Sequence, residues 1–116
     1  MTIKHRFGKD INGYISPLIT PPSTTNFTFL LAAGVEQTFT VPSDYSRYVV
    51  YFSFTTASDV FVSVNNTAVT PTGAAAASNS RRNPFALEVN KGDVVHMISP
   101  STTTYGSASI YGSTTI

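Results

Sequence analysis

From Asn26 to Tyr111 the large apolar side chains recur at every second residue in short runs, and no stretch repeats them at a helical period. In an extended chain successive side chains point to opposite faces, so such a run buries one face and exposes the other. Phe27, Phe29 and Leu31 share a face of a first strand, and Val35, Gln37, Phe39 and Val41 share a face of a second. Ala33-Gly34 between them predicts a hairpin turn. Residues 46–55 give the clearest alternation, with Tyr48, Val50, Phe52 and Phe54 on one side and Arg47, Val49, Tyr51 and Ser53 on the other. Val60, Val62 and Val64 mark a strand over 58–65. Phe85, Leu87 and Val89 mark the next, and Asn90-Lys91-Gly92-Asp93 a tight turn after it. Val94, His96 and Ile98 then share one face, and Val95 and Met97 the other. Ala108 and Ile110 occupy the core face of a last strand, from which Tyr105 and Tyr111 project outward.

Seven short strands separated by turn residues predict an all-β fold, a single β-sandwich or jelly-roll-like domain over 26–116. Its expected core includes Phe29, Phe39, Val50, Phe52, Phe54, Val62, Leu87, Val89 and Ile110. Residues 66–84 form a long loop with Pro71, Gly73 and a run of alanines, closed by Arg81-Arg82-Asn83-Pro84. Loops of that length in compact domains are usually functional or docked on something.

Residues 1–25 read differently. Gly8, Gly13, Pro17, Pro21 and Pro22 break any helix and no long alternation is present, which predicts an extended N-terminal arm. A fully extended chain covers at most ~3.3–3.6 Å per residue, so such an arm could reach roughly 80 Å. Ordering it costs roughly 1–2 kcal/mol of backbone entropy per residue, which a binding partner must offset. Phe7, Ile11, Tyr14, Ile15, Leu18 and Ile19 are the candidate anchors, and Lys4, Arg6 and Lys9 the candidate contacts to acidic groups. The alternative is an edge strand folded back on the chain's own sandwich.

The 116 residues fit one domain. Net charge is +1 with 11% charged residues, so no strong field draws the chain to nucleic acid. Ser and Thr number 31, which makes the expected surface hydroxylated rather than charged. No apolar run is long enough to span a membrane. The basic N-terminus lacks the apolar segment of a signal peptide, and neither a leader nor membrane contact is expected.

Catalytic chemistry finds little support. There is no cysteine, and only His5 and His96 could join carboxylates around a metal. Serines are so numerous that a pairing with His96 is expected by chance, and no nucleophile elbow or glycine-rich oxyanion loop accompanies one. No phosphate-binding loop is present. The expectation is a non-enzymatic protein with no catalytic residue, metal or cofactor. The strands do carry apolar groups on their second faces. Val49, Tyr51, Phe61, Tyr105 and Tyr111 are therefore candidates for a subunit interface, unless a layer of the same chain covers them. Arg81 and Arg82 are a candidate loop contact to an acidic neighbour.

The run Ala33-Gly34-Val35-Glu36-Gln37-Thr38-Phe39-Thr40-Val41-Pro42, the aromatic strand 48–54, Asn83-Pro84-Phe85 leading into Val89-Asn90-Lys91-Gly92-Asp93, and the closing Ser107-Ala108-Ser109-Ile110-Tyr111 are similar in style to small virion proteins of tailed bacteriophages. Residues 27–112 most resemble the capsid decoration, or cement, proteins. That resemblance implies a protein made in the host cytoplasm that binds the outer surface of the assembled head. It would bridge neighbouring copies of the major capsid protein, as a homotrimer ahead of a homodimer. The competing expectation is a receptor- or carbohydrate-binding β-sandwich module of a phage tail, collar or fibre, with Tyr105 and Tyr111 as its sugar platform.

Overall fold

A computed structural model of the chain describes residues 8–9, 15–16, 25–101 and 103–113. Every regular element among them is a strand. The strands are β1 (Gly8–Lys9), β2 (Ile15–Ser16), β3 (Thr25–Leu31), β4 (Gln37–Thr40), β5 (Arg47–Phe54), β6 (Phe61–Val64), β7 (Arg81–Arg82), β8 (Ala86–Asn90), β9 (Val94–Ile98) and β10 (Thr104–Ser113). Two four-stranded sheets result, one ordered β3-β10-β5-β8 and the other β4-β9-β6-β7, with every pairing antiparallel. The architecture is all-β with two antiparallel sheets and is compatible with a β-sandwich. β1 and β2 pair separately, Gly8 facing Ser16 and Lys9 facing Ile15. The six expected anchors and Lys4 and Arg6 lie outside the described residues, except for the backbone of Ile15.

The pairings are nested. Thr25 faces Ile110, Gln37 faces Met97, Tyr48 faces Val89 and Phe61 faces Arg82. The four nested pairs fall alternately in the first and second sheet. Residues 25–113 thus form one long antiparallel ribbon that folds repeatedly across the core, with the 65–80 loop at its tip.

This arrangement corrects the expected hairpin. β3 and β4 belong to different sheets, and the Gly34 turn carries the chain from one sheet to the other. Gly34 has φ +75°, donates its N–H to Ser99 O at 2.7 Å, and suits that left-handed position because it has no Cβ. The physical reason is burial. A flat hairpin would set the two apolar strand faces side by side, whereas the crossing sets them against each other. The rings of Phe27 and Phe39 consequently stack with centroids 4.7 Å apart. Gly92, at φ +76°, serves the corresponding passage from β8 to β9.

Residues of both sheets fill one core. Leu31, Phe39, Val41, Tyr48, Val50, Phe52, Val60, Val62, Val89, Val95, Met97, Ala108 and Ile110 are buried in it, and Phe29, Phe54 and Leu87 pack against it half-buried. Burial contributes roughly 25 cal/mol per Å² of apolar surface. In β9 the core face is Val95 and Met97, while Val94, His96 and Ile98 face outward. Phe85 also departs from its expected face. β8 begins one residue later, at Ala86, and Phe85 stands 77% exposed while its carbonyl accepts from Phe52 N at 2.9 Å.

Two glycines on the inner face of β10 make room for aromatic rings. A Cβ on Gly106 would meet the Phe29 ring, and one on Gly112 the Tyr45 ring. Tyr48, fully buried, accepts a hydrogen bond from Tyr45 N at 2.8 Å through its hydroxyl.

Candidate functional site

The outer face of the first sheet is the first candidate surface. Tyr105, Ser107, Ser109 and Tyr111 of β10 alternate with the inward Gly106, Ala108, Ile110 and Gly112. Across the sheet, Tyr105 faces Leu30 and Ser107 faces Thr28 on one side, and Ser109 faces Tyr51 on the other. Leu30 and Tyr105 are exposed, at 47% and 67%. Tyr51 contacts Phe85 on one side and Tyr111 on the other, edge to face, with centroids 5.8 and 5.6 Å apart. Partial burial, and after it the Tyr111 phenol, pushes the Tyr51 phenol above its ordinary value. Among the described residues the charges on this face are Arg47 and Glu88, joined at 2.8 Å near one end. The described remainder is chiefly hydroxyl, aromatic and aliphatic surface that offers a neighbour contact area with little charge to desolvate.

The outer face of the second sheet is organised around a pair that sequence reasoning missed. Glu36 precedes β4 and His96 sits in β9. Glu36 Oε1 lies 3.0 Å from His96 Nδ1, and Glu36 Oε2 accepts from Ala68 N at 2.7 Å. The hydrogen bond from His96, and the Ala68 amide behind it, outweigh partial burial and hold the Glu36 carboxyl below its ordinary range. One carboxylate thereby latches the 65–80 loop onto the sheet. Ala68 is buried there, and so is Ser63, which faces His96 in register and whose Oγ has no partner among the described residues. Sixty residues separate Glu36 from His96, and only the β4–β9 pairing brings them together. A Ser, a His and a Glu thus share one face. The serine, however, is 1% exposed and unbonded, which is not the geometry of an activated nucleophile.

Beyond the latch, the loop borders a half-open cavity of about 330 Å³, lined by Phe61, residues 69–78 and Ser80. Ser80 Oγ accepts from Val69 N at 2.8 Å and ties the two ends of the loop together. The base of the loop is held by Asn83, at φ +45°. Its Oδ1 accepts from Val60 N at 2.7 Å and its Nδ2 donates to Ser58 O at 2.8 Å.

The five interface candidates are thus distributed over both sheets. Val49 and Tyr51 are half-buried, Tyr105 is exposed and Tyr111 is 5% exposed, all on the first sheet's outer face, whereas half-buried Phe61 lines the loop cavity on the second. Tyr111 therefore offers almost no free surface, and Tyr105 and Tyr111 do not form one open platform. Arg81 and Arg82 form β7 rather than closing a loop. Arg82 Nε pairs with Asp59 at 2.6 Å, and Arg81 has no ion pair among the described residues. Leu30 and Phe85 join the exposed surface without having been singled out. Leu30 follows from the alternation of β3, but Phe85 carries no sequence signal for exposure.

Among the described residues no group of three or more His, Asp or Glu side chains could hold a metal ion. Comparison of the chain with protein-family models, with curated proteins and with solved structures returned no match.

Proposed function

We propose that this chain is a non-enzymatic jelly-roll protein of a virion, a decoration protein that binds the outer surface of an assembled bacteriophage head and bridges neighbouring major capsid protein subunits. The observation that carries the reading is the nested strand order, β3-β10-β5-β8 against β4-β9-β6-β7, in which one long ribbon rolls up across two sheets. Jelly rolls occur in viral capsid proteins, though they also serve lectins, so the order supports the class of fold and the surface must carry the function. The first sheet's outer face supports a contact role through Leu30, Tyr51, Phe85 and Tyr105 amid hydroxyls. That face is the proposed contact between copies, as a homotrimer ahead of a homodimer, and residues 1–25 are the proposed clasp onto the capsid.

The test is deletion of residues 2–20. The truncated protein should keep its circular dichroism spectrum, while its affinity for preassembled heads in a co-sedimentation assay falls at least about tenfold, roughly 1.4 kcal/mol or more. Binding as tight as that of the full chain would remove the arm as the clasp. Failure of the full chain to bind any assembled head would remove the decoration reading itself.

A further inference from the structure

We propose that the cavity under the 65–80 loop is a binding site for a neutral saccharide unit. This reading does not rest on the attachment to a capsid, because the cavity is lined by residues of neither the proposed clasp nor the proposed contact face.

The size and lining point to this ligand. A cavity of about 330 Å³ sits at the low end of small-ligand pockets, ~300–1,000 Å³, with room for a compact ring rather than a folded chain. One wall is the Phe61 side chain, and much of the rest is small apolar surface from Val69 and the 74–77 run. Thr70, Thr72, Ser78 and Ser80 add hydroxyls at the same cavity. Each hydroxyl can both donate and accept. Ser80 Oγ accepts from Val69 N and Ser78 Oγ from Ser80 N, which leaves both O–H groups available as donors. The hydroxyls of Thr70 and Thr72 make no hydrogen bond with described residues. Nor do the backbone N–H and C=O groups of residues 70–78, so the wall carries many unused polar groups of both kinds.

An apolar floor ringed by mixed donors and acceptors matches a pyranose, which has carbon–hydrogen faces and a hydroxyl edge. Among the described residues no ionisable side chain lines the cavity. Of the described charges beside the lining residues, Arg82 faces Phe61 across the β6–β7 ladder and pairs with Asp59, Glu36 is held by His96 and the Ala68 amide, and Arg81 follows Ser80. None of them is in the lining itself, so a charged ligand would be desolvated without an ion-pair partner in the wall, and the preference is for a neutral one. The two ends of the loop are also tied down before any ligand arrives, by the Glu36 carboxylate at Ala68, by Ser80 at Val69 and by Asn83 at its base. Such anchoring lowers the ordering cost of binding.

The experiment uses the full chain and a printed panel of neutral and charged oligosaccharides. The strongest neutral binder is then titrated in solution by calorimetry. The expected result is retention of neutral glycans. Phe61→Ala and Ala75→Trp, the second a loop variant that fills the cavity without touching the core, should each weaken the titration at least tenfold. Lys91→Ala, in the β8–β9 turn and outside both the cavity lining and the proposed contact face, should leave it unchanged. Retention of no glycan, retention of charged glycans alone, or full affinity in Ala75→Trp with its fold intact would overturn the proposal. So would an equal loss of binding in Lys91→Ala, which would show that the effect is not confined to the cavity.

Discussion

Gly106 tests the packing of the two sheets most directly. It lies on the inner face of β10, between Phe29 of β3 and Phe54 of β5, whose ring centroids are 6.1 Å apart across it. A methyl group there would collide with the edge of the Phe29 ring and stand 2.9 Å from Ser53 O, closer than real Cβ contacts. The ring can swing away, but the backbone carbonyl is fixed by the β5–β10 ladder. Gly106→Ala should therefore cost about 1–3 kcal/mol, the range for forcing one carbon into a packed interior. At about 4–8 °C per kcal/mol for a small domain, thermal denaturation followed by circular dichroism should shift down by roughly 5–20 °C. Phe29→Ala removes the obstructing ring and opens a gap beside Gly106. The double variant should consequently lose less than the two single losses added together, by about 1 kcal/mol or more, because the new methyl occupies part of that gap. Gly73→Ala, which meets nothing within 4 Å at an ordinary φ, is the control and should leave the transition within about 2–4 °C. Strict additivity in the cycle, or a Gly106→Ala transition as high as the parent's, would refute the view that an aromatic ring packed on this glycine closes the core.

Tyr48→Phe should cost about 1–3 kcal/mol in urea denaturation, since the Tyr45 N–H loses its acceptor in a packed setting; a neutral result would show that water replaces the hydroxyl. Asn83→Ala removes two side-chain bonds to the residues before β6 and places a Cβ residue with no compensating contact at φ +45°. A loss of roughly 2–4 kcal/mol and faster proteolysis within 65–80 are expected. The Glu36 latch is pH-dependent. Its folded pKa lies below the ordinary 4.5, so its contribution is complete above that value and disappears as the pH falls through the lower folded one. Hydrogen exchange of the Ala68 amide should approach its intrinsic rate in that acid window in the parent. In Glu36→Ala it should be fast already at pH 6, and equal protection in the two proteins would show that the latch does not hold the loop.

The sequence by itself determined the class of the fold and most of its interior. Alternation identified Val50, Phe52, Val62, Val89 and Ile110 as buried, because in a strand the face of a side chain follows from its parity alone. Gly34 and Gly92 were legible as turns, since few other residues accept a positive φ there. Tertiary structure decided what parity leaves open. A turn looks the same locally whether the next strand returns to the same sheet or crosses to the other, so the Gly34 hairpin became a crossing once Phe27 could stack on Phe39. In β9 both parities carry apolar residues, and only the opposing sheet selected Val95 and Met97 over Val94, His96 and Ile98. The Glu36–His96–Ala68 latch and the Phe61 cavity join segments far apart in the chain, and no local pattern encodes them. Strand pairing is a long-range choice, made where the summed burial of all the faces is greatest, and that sum exists only when the whole ribbon has rolled up.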